Sequence, residues 1–135
     1  MILDSSVLIA ILKDEPEADS FSAILEKTQL VRISAASYFE SSIVIDGWRN
    51  PKLSVELEEM LERAQVVVEP VTHDQARVAR QAYRDYGKGS GHPAGLNFGD
   101  CFSYALARVT REPLLFKGDD FIHTDIRPAA KLDPL

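Results

Sequence analysis

Apolar positions recur along the chain in two periods, and the switches between them divide it into short strands and amphipathic helices. Residues 1–3 form a brief apolar opening that fits a buried strand, and Val7, Leu8, Ile11 and Leu12 then follow at helical spacing over 5–12. A second helix is predicted over 17–28, with Phe21, Ile24 and Leu25 on one side, and 30–34 predicts the next strand. Helical periodicity returns over 36–46. After Pro51, the positions Leu53, Leu57, Met60, Leu61 and Ala64 mark another amphipathic helix. Val66, Val67 and Val68 form a β-branched run expected to be a buried strand, and 73–86 predicts a long helix with Ala76, Val78, Ala79 and Ala82 among its apolar positions. A last helix is predicted over 98–109 and a fourth strand over 113–116. The one loop-rich stretch, 87–95, holds four glycines and is expected to be exposed and mobile. Strands alternating with helices predict a parallel sheet covered on both faces: an α/β fold in three layers.

Composition narrows the class. A chain of 135 residues has the length of one domain, 1–135, and 45% hydrophobic with 27% charged residues excludes disordered, collagen-like and coiled-coil chains. No apolar run reaches the length of a membrane span and no basic leader opens the chain, so a cytoplasmic protein is expected. The single cysteine, Cys101, rules out an internal disulfide and reads as a small buried hydrophobe. A net charge of −6 argues against a protein that coats nucleic acid by overall attraction. Its distribution is uneven. Asp14, Glu15, Glu17, Asp19 and Glu26 fall in a stretch without a base, whereas Arg77, Arg80, Arg84 and Lys88 face only Asp85. Arg77, Arg80 and Arg84 share a helix face by their spacing, which suits either a solvated surface or a grip on a phosphate backbone.

Chemistry in an open parallel sheet gathers beyond the carboxyl ends of the strands, so acids at those ends carry the most information. Asp4 directly follows the first strand, where it serves as a helix cap or a metal ligand. Glu40 falls on the helical stripe Ala36, Phe39, Ile43 and Val44, expected to face the core, so its charge must be paired, neutralised or turned into a charged cavity. Asp100 stands three residues after Asn97, the spacing of a capping box, in the first turn of its helix. Asp119 and Asp120 follow the last strand and Gly118. If four carboxylates converge, each ionised pair at about 5 Å and an effective dielectric of about 20 repels by roughly 3 kcal/mol, which a divalent cation would offset. His73, His92 and His123 are scattered without zinc spacing.

The ordered set Asp4-Ser5-Ser6-Val7-Leu8, Glu40 in mid-helix, Gly99-Asp100-Cys101 and Lys117-Gly118-Asp119-Asp120-Phe121 resembles the PIN-domain ribonucleases across nearly the whole chain. With the stretches 86–89 and 94–101, it is similar more narrowly to the VapC toxins of type II toxin-antitoxin systems. The resemblance implies a PIN-like fold and a metal-dependent endoribonuclease that uses Mg²⁺ or Mn²⁺ to cleave RNA. It further implies a VapB-type antitoxin as inhibitor and a toxin homodimer. It places the catalytic, metal-holding acids at Asp4, Glu40, Asp100 and Asp120, with Asp119 as competitor for the fourth position and Ser6 in support. Arg77, Arg80, Arg84 and Lys88 would guide the RNA. The rival readings are a catalytically idle RNA- or partner-binding domain and an aspartyl-phosphate signalling domain.

Overall fold

The computed structural model describes residues 1–130. Four short strands, β1 (Ile2–Leu3), β2 (Arg32–Ser34), β3 (Val67–Glu69) and β4 (Leu114–Leu115), form one parallel sheet in the order β3-β2-β1-β4. Six helices connect them: α1 (Ser5–Leu12), α2 (Ala18–Lys27), α3 (Ala35–Gly47), α4 (Pro51–Arg63), α5 (His73–Tyr86) and α6 (Phe98–Thr110). Each lies within two residues of where periodicity alone puts it. A short 3-10 helix, Asp120–His123, is an addition that an irregular Gly-Asp-Asp turn does not announce.

The strands are too short to alternate for long, but they alternate. Ile2 and Leu114 join a core with Ala82, Leu96, Tyr104, Leu106 and Phe121, on the side of α5 and α6. Their neighbours Leu3 and Leu115 join the opposite core, with Val7, Leu8, Phe21, Ile45, Leu57 and Leu61 from α1, α2, α3 and α4. Successive residues of a strand point to opposite faces, so two-residue strands suffice to feed both layers. Full burial of one such aliphatic or aromatic side chain contributes about 1.5–3 kcal/mol.

Two expectations about burial fail here. Val67 and Val68 are 42% and 44% exposed: β3 is an edge strand, and unlike β4, the other edge, its valines join neither core. Phe39, Ile43 and Val44 are exposed too, Phe39 at 64%, so the apolar stripe of α3 faces outward. The buried face of α3 is Ser37, Ser41 and Ile45. The glycine-rich stretch is also less loose than expected: residues 88–91 are exposed, but Ala94 and Leu96 are buried, and Leu96 is pinned by backbone bonds to Tyr86 and Lys88.

Candidate active site

The carboxyl ends of β1, β2 and β4 and the starts of α1, α3 and α6 meet at one edge of the sheet. Asp4 leaves β1 with its backbone N–H donating to Leu115 at 3.0 Å, which fixes the residue beside β4. Its side chain is 3% exposed and caps α1, accepting from the Ser6 N–H at 3.1 Å through Oδ2. Its other oxygen, Oδ1, accepts from the Ser103 hydroxyl of α6 at 2.6 Å. Both the cap and a place at the sheet edge are therefore realised in one residue.

Ser6 turns its hydroxyl the other way. Its Oγ accepts from the backbone N–H of Lys117 at 2.9 Å, tying the start of α1 to the turn after β4. The Lys117 ammonium pairs with Glu15 and, at 3.1 Å, with Glu17. Gly118 adopts φ +103°, a left-handed conformation that favours glycine, and the chain turns there into Asp119 and Asp120.

Glu40 is half-buried on α3, and its Oε1 accepts from the Ser5 hydroxyl at 2.5 Å. It does not belong to an inward apolar stripe, since Phe39, Ile43 and Val44 face outward. Gly99 of α6 lies directly against it. A Cβ at residue 99 would sit 1.8 Å from Glu40 Oε2, so the absence of a side chain there is what lets α6 approach the carboxylate. Asp100 forms the capping box that its spacing predicts, with the Asn97 N–H donating to Asp100 Oδ2 at 3.0 Å and the Asp100 N–H to Asn97 Oδ1 at 2.9 Å. Burial pushes the Asp100 carboxyl up to about 7, against the Asn97 N–H that lowers it, and the negative fields of Asp4, Asp120 and Glu40 push it further. Burial, then the charge of Asp100, also raises the Cys101 thiol to about 11, so Cys101 stays a neutral apolar residue.

Asp4, Glu40 and Asp120 thus stand near enough for their charges to act on Asp100. Asp119, exposed and at the cap of the 3-10 helix, is not among the groups acting on Asp100. Asp4, Glu40 and Asp100 are each held by a separate local donor, and Asp120 by the turn after Gly118. Among the described residues no three acids, histidines or cysteines close on a point that would seat a metal ion as the side chains stand. In donor chemistry they fit one: all are carboxylate oxygens, which suit hard cations such as Mg²⁺ or Mn²⁺.

The three arginines belong to α5, which packs against α6, and Arg80 shares a depression with Phe98, Cys101 and Phe102 beside Asp100. Arg77, Arg80 and Arg84 lie exposed on α5 along a shallow depression of about 510 Å³ shared with Asp74, Val78 and Gln81, and Lys88 follows at the helix end. Among the described residues none of the four forms an ion pair. Sequence reasoning missed the buried hydroxyls around Asp4 and the role of Gly99. A stripe of Ser37, Ser41 and Ile45 at intervals of four, with Ser103 one turn after Asp100, is the signal that carried them.

Fold and site define a class, and comparison with known proteins agrees. The PIN domain family model matches residues 1–127, and the chain belongs to that family. Within it the chain groups with VapC ribonucleases: it is 57% identical to Ribonuclease VapC28 of Mycobacterium tuberculosis over 129 residues, covering 96% of this chain and 97% of the other. Among solved structures it resembles Mycobacterium tuberculosis VapC20, described as a sarcin-ricin loop cleaving toxin, with a TM-score of 0.72, 17% identity and 93% and 95% of the two chains covered. It also resembles a chain of a toxin-antitoxin complex from Klebsiella pneumoniae, with a TM-score of 0.67, 17% identity and 89% and 88% covered. At that identity the likeness of structure establishes the fold. Among the described residues no helix is long and apolar enough to cross a membrane.

Proposed function

We propose that the chain is a divalent-metal-dependent endoribonuclease, the toxin of a type II toxin-antitoxin pair, acting on RNA in the cytoplasm through one domain over residues 1–135. The observation that carries this reading is that acids from four separate segments, Asp4, Glu40, Asp100 and Asp120, lie around the start of α6 in a chain 57% identical to a VapC ribonuclease, with the fields of the other three bearing on Asp100. Asp4 and Asp100 would hold the cation directly, and Glu40 and Asp120 would hold it through water or complete a second position. Asp120 is preferred to Asp119 because its charge reaches Asp100. Mg²⁺ is the proposed ion, with Mn²⁺ as a substitute. Bound there, it would supply charge neutralisation toward the phosphodiester and a lowered pKa for an attacking water.

The protein's own groups do the rest. Ser5 holds Glu40 in place through its 2.5 Å bond, and Ser6 keeps the turn bearing Asp120 against the start of α1. Arg77, Arg80, Arg84 and Lys88, free of ion pairs among the described residues, offer positive charge to an RNA backbone on a chain whose net charge is negative. Kinship with VapC ribonucleases supports a VapB-type antitoxin as partner. The outward-facing Phe39, Ile43 and Val44 give a homodimer apolar surface to cover. The deciding experiment is cleavage of RNA by the parent and by Asp4→Asn with Mg²⁺ present. The variant is expected to lose roughly 100-fold or more of the rate while keeping its fold. Cleavage at the parent rate would refute the assignment.

A further inference from the structure

A buried pair of hydroxyls lies behind the acids. Ser37 of α3 and Ser103 of α6 are 1% and 0% exposed, and their hydroxyl oxygens are 3.0 Å apart. Ser103 in turn lies 2.6 Å from Asp4 Oδ1. The direction of these bonds follows from counting hydrogens. An ionised carboxylate only accepts, so the single proton of Ser103 goes to Asp4, and the bond between the two serines must be donated by Ser37. Ser41, also fully buried, donates to the Ser37 carbonyl at 2.8 Å and holds that turn of α3. Ser37 is one turn before Glu40 on α3, and Ser103 is one turn after Asp100 on α6.

We propose that Ser37 and Ser103 form a two-hydroxyl brace that positions the Asp4 carboxylate and sets the separation of α3 and α6, and with it the spacing of Glu40 and Asp100. The inference rests on the nuclease reading above. Serine is a poorer helix former than alanine, and a buried pair of hydroxyls contributes little net stability, so packing alone does not call for either residue. Asp4 does call for them. Its backbone is fixed by Leu115 and its Oδ2 by Ser6, and Ser103 supplies the remaining restraint on the rotation of the carboxylate. One lone-pair direction on each oxygen is then left for a ligand. Ser37 and Ser103 are positioning residues; neither would touch RNA or the ion.

The test uses the full chain, Mn²⁺ as the probe ion, and two readouts: Mn²⁺ binding by calorimetry without RNA, and steady-state RNA cleavage. Ser103→Ala is expected to weaken Mn²⁺ binding and lower kcat by about tenfold or more, with KM close to the parent's and a lower melting temperature from the unpaired Asp4 oxygen. Ser37→Ala should show a smaller loss of the same kind, and no further loss when added to Ser103→Ala, because the chain of bonds is already cut. Parent-like Mn²⁺ binding in Ser103→Ala, or losses from the two variants that add in full, would overturn the brace. If Ser103→Ala does not fold, Ser37→Ala carries the test by itself: weakened Mn²⁺ binding at an unchanged melting temperature supports the proposal, and parent binding refutes it. A parent chain that neither binds Mn²⁺ nor cleaves RNA removes the nuclease reading and the brace together.

Discussion

Helix α3 meets α6 through hydroxyls, whereas α1, α2 and α4 meet one another through carbon. On the carbon side, Val7, Leu8, Phe21, Leu25, Leu57 and Leu61 pack into one cluster without direction-dependent bonds. On the hydroxyl side, Ser37, Ser103 and Asp4 are joined by bonds of 3.0 and 2.6 Å, each with one permitted donor. Dispersion and hydrophobic burial give free energy but tolerate sliding; hydrogen bonds in a dry interior give little net free energy but fix atoms relative to one another. The molecule therefore keeps stability and geometry in separate places.

Predictions follow the same division. The largest effect on stability is expected on the carbon side, where Phe21→Ala should cost about 3–5 kcal/mol in denaturant unfolding. RNA cleavage per folded molecule should be unchanged at low temperature. A loss of cleavage as large as the loss of stability would erase the distinction between the two regions.

The next effect is a gain. The Asp100 carboxyl lies near 7 in the folded chain against 3.8 when free, so between those values the folded state holds a proton that the unfolded state has lost. Stability contributed by this group falls as pH rises from about 4 to about 7 and is constant above. The whole shift corresponds to ~4 kcal/mol at 1.36 kcal/mol per unit, and contact of the carboxyl with water screens this to ~1–2 kcal/mol. Asp100→Asn should thus melt higher than the parent in chelator above pH 7, with the gap closing below pH 4. Added Mg²⁺ should narrow the gap at pH 8 by stabilising the parent. A gap independent of pH would show that the acids do not share a field.

A smaller loss is expected from the cap. Asn97→Ala removes the side-chain half of the capping box and should cost about 1 kcal/mol. The smallest is at the sheet's margin, where Val68→Thr, on an exposed strand face, should change unfolding by less than about 0.5 kcal/mol. A large loss there would mean that β3 is covered in solution.

Much of this was legible in the chain itself. Period and length located the four strands and the six α-helices but not the 3-10 helix, and the rule that ligands gather at the carboxyl ends of parallel strands picked out Asp4, Asp100 and Asp120. Periodicity reports that a helix has two faces but not which one turns inward, and α3 shows the limit. Its bulky face, Phe39 and Ile43, is outside, because the inner position beside α6 admits only small residues carrying hydroxyls. Val67 and Val68 misled for a related reason: β-branched residues mark a strand, while what packs against it decides burial, since of the two edge strands β4 is buried and β3 is not. Ser103 and Gly99 owe their roles to partners far along the chain; the serine spacing hints at a polar helix face but does not name Asp4 or Glu40 as what it meets.

Gly99 has φ in the ordinary range and needs no unusual backbone; what it lacks is bulk, and the atoms needing that space are the flexible end of Glu40. Alanine is the better helix former, so Gly99→Ala need not harm folding. It would swing the carboxylate away. Shortening the acid, Glu40→Asp, would give back the space and let alanine stand. The two sites are thus expected to drift together in descendants of this chain, each constraining the other's permitted alphabet, and a screen for thermostable variants would be drawn to a substitution that disarms the molecule.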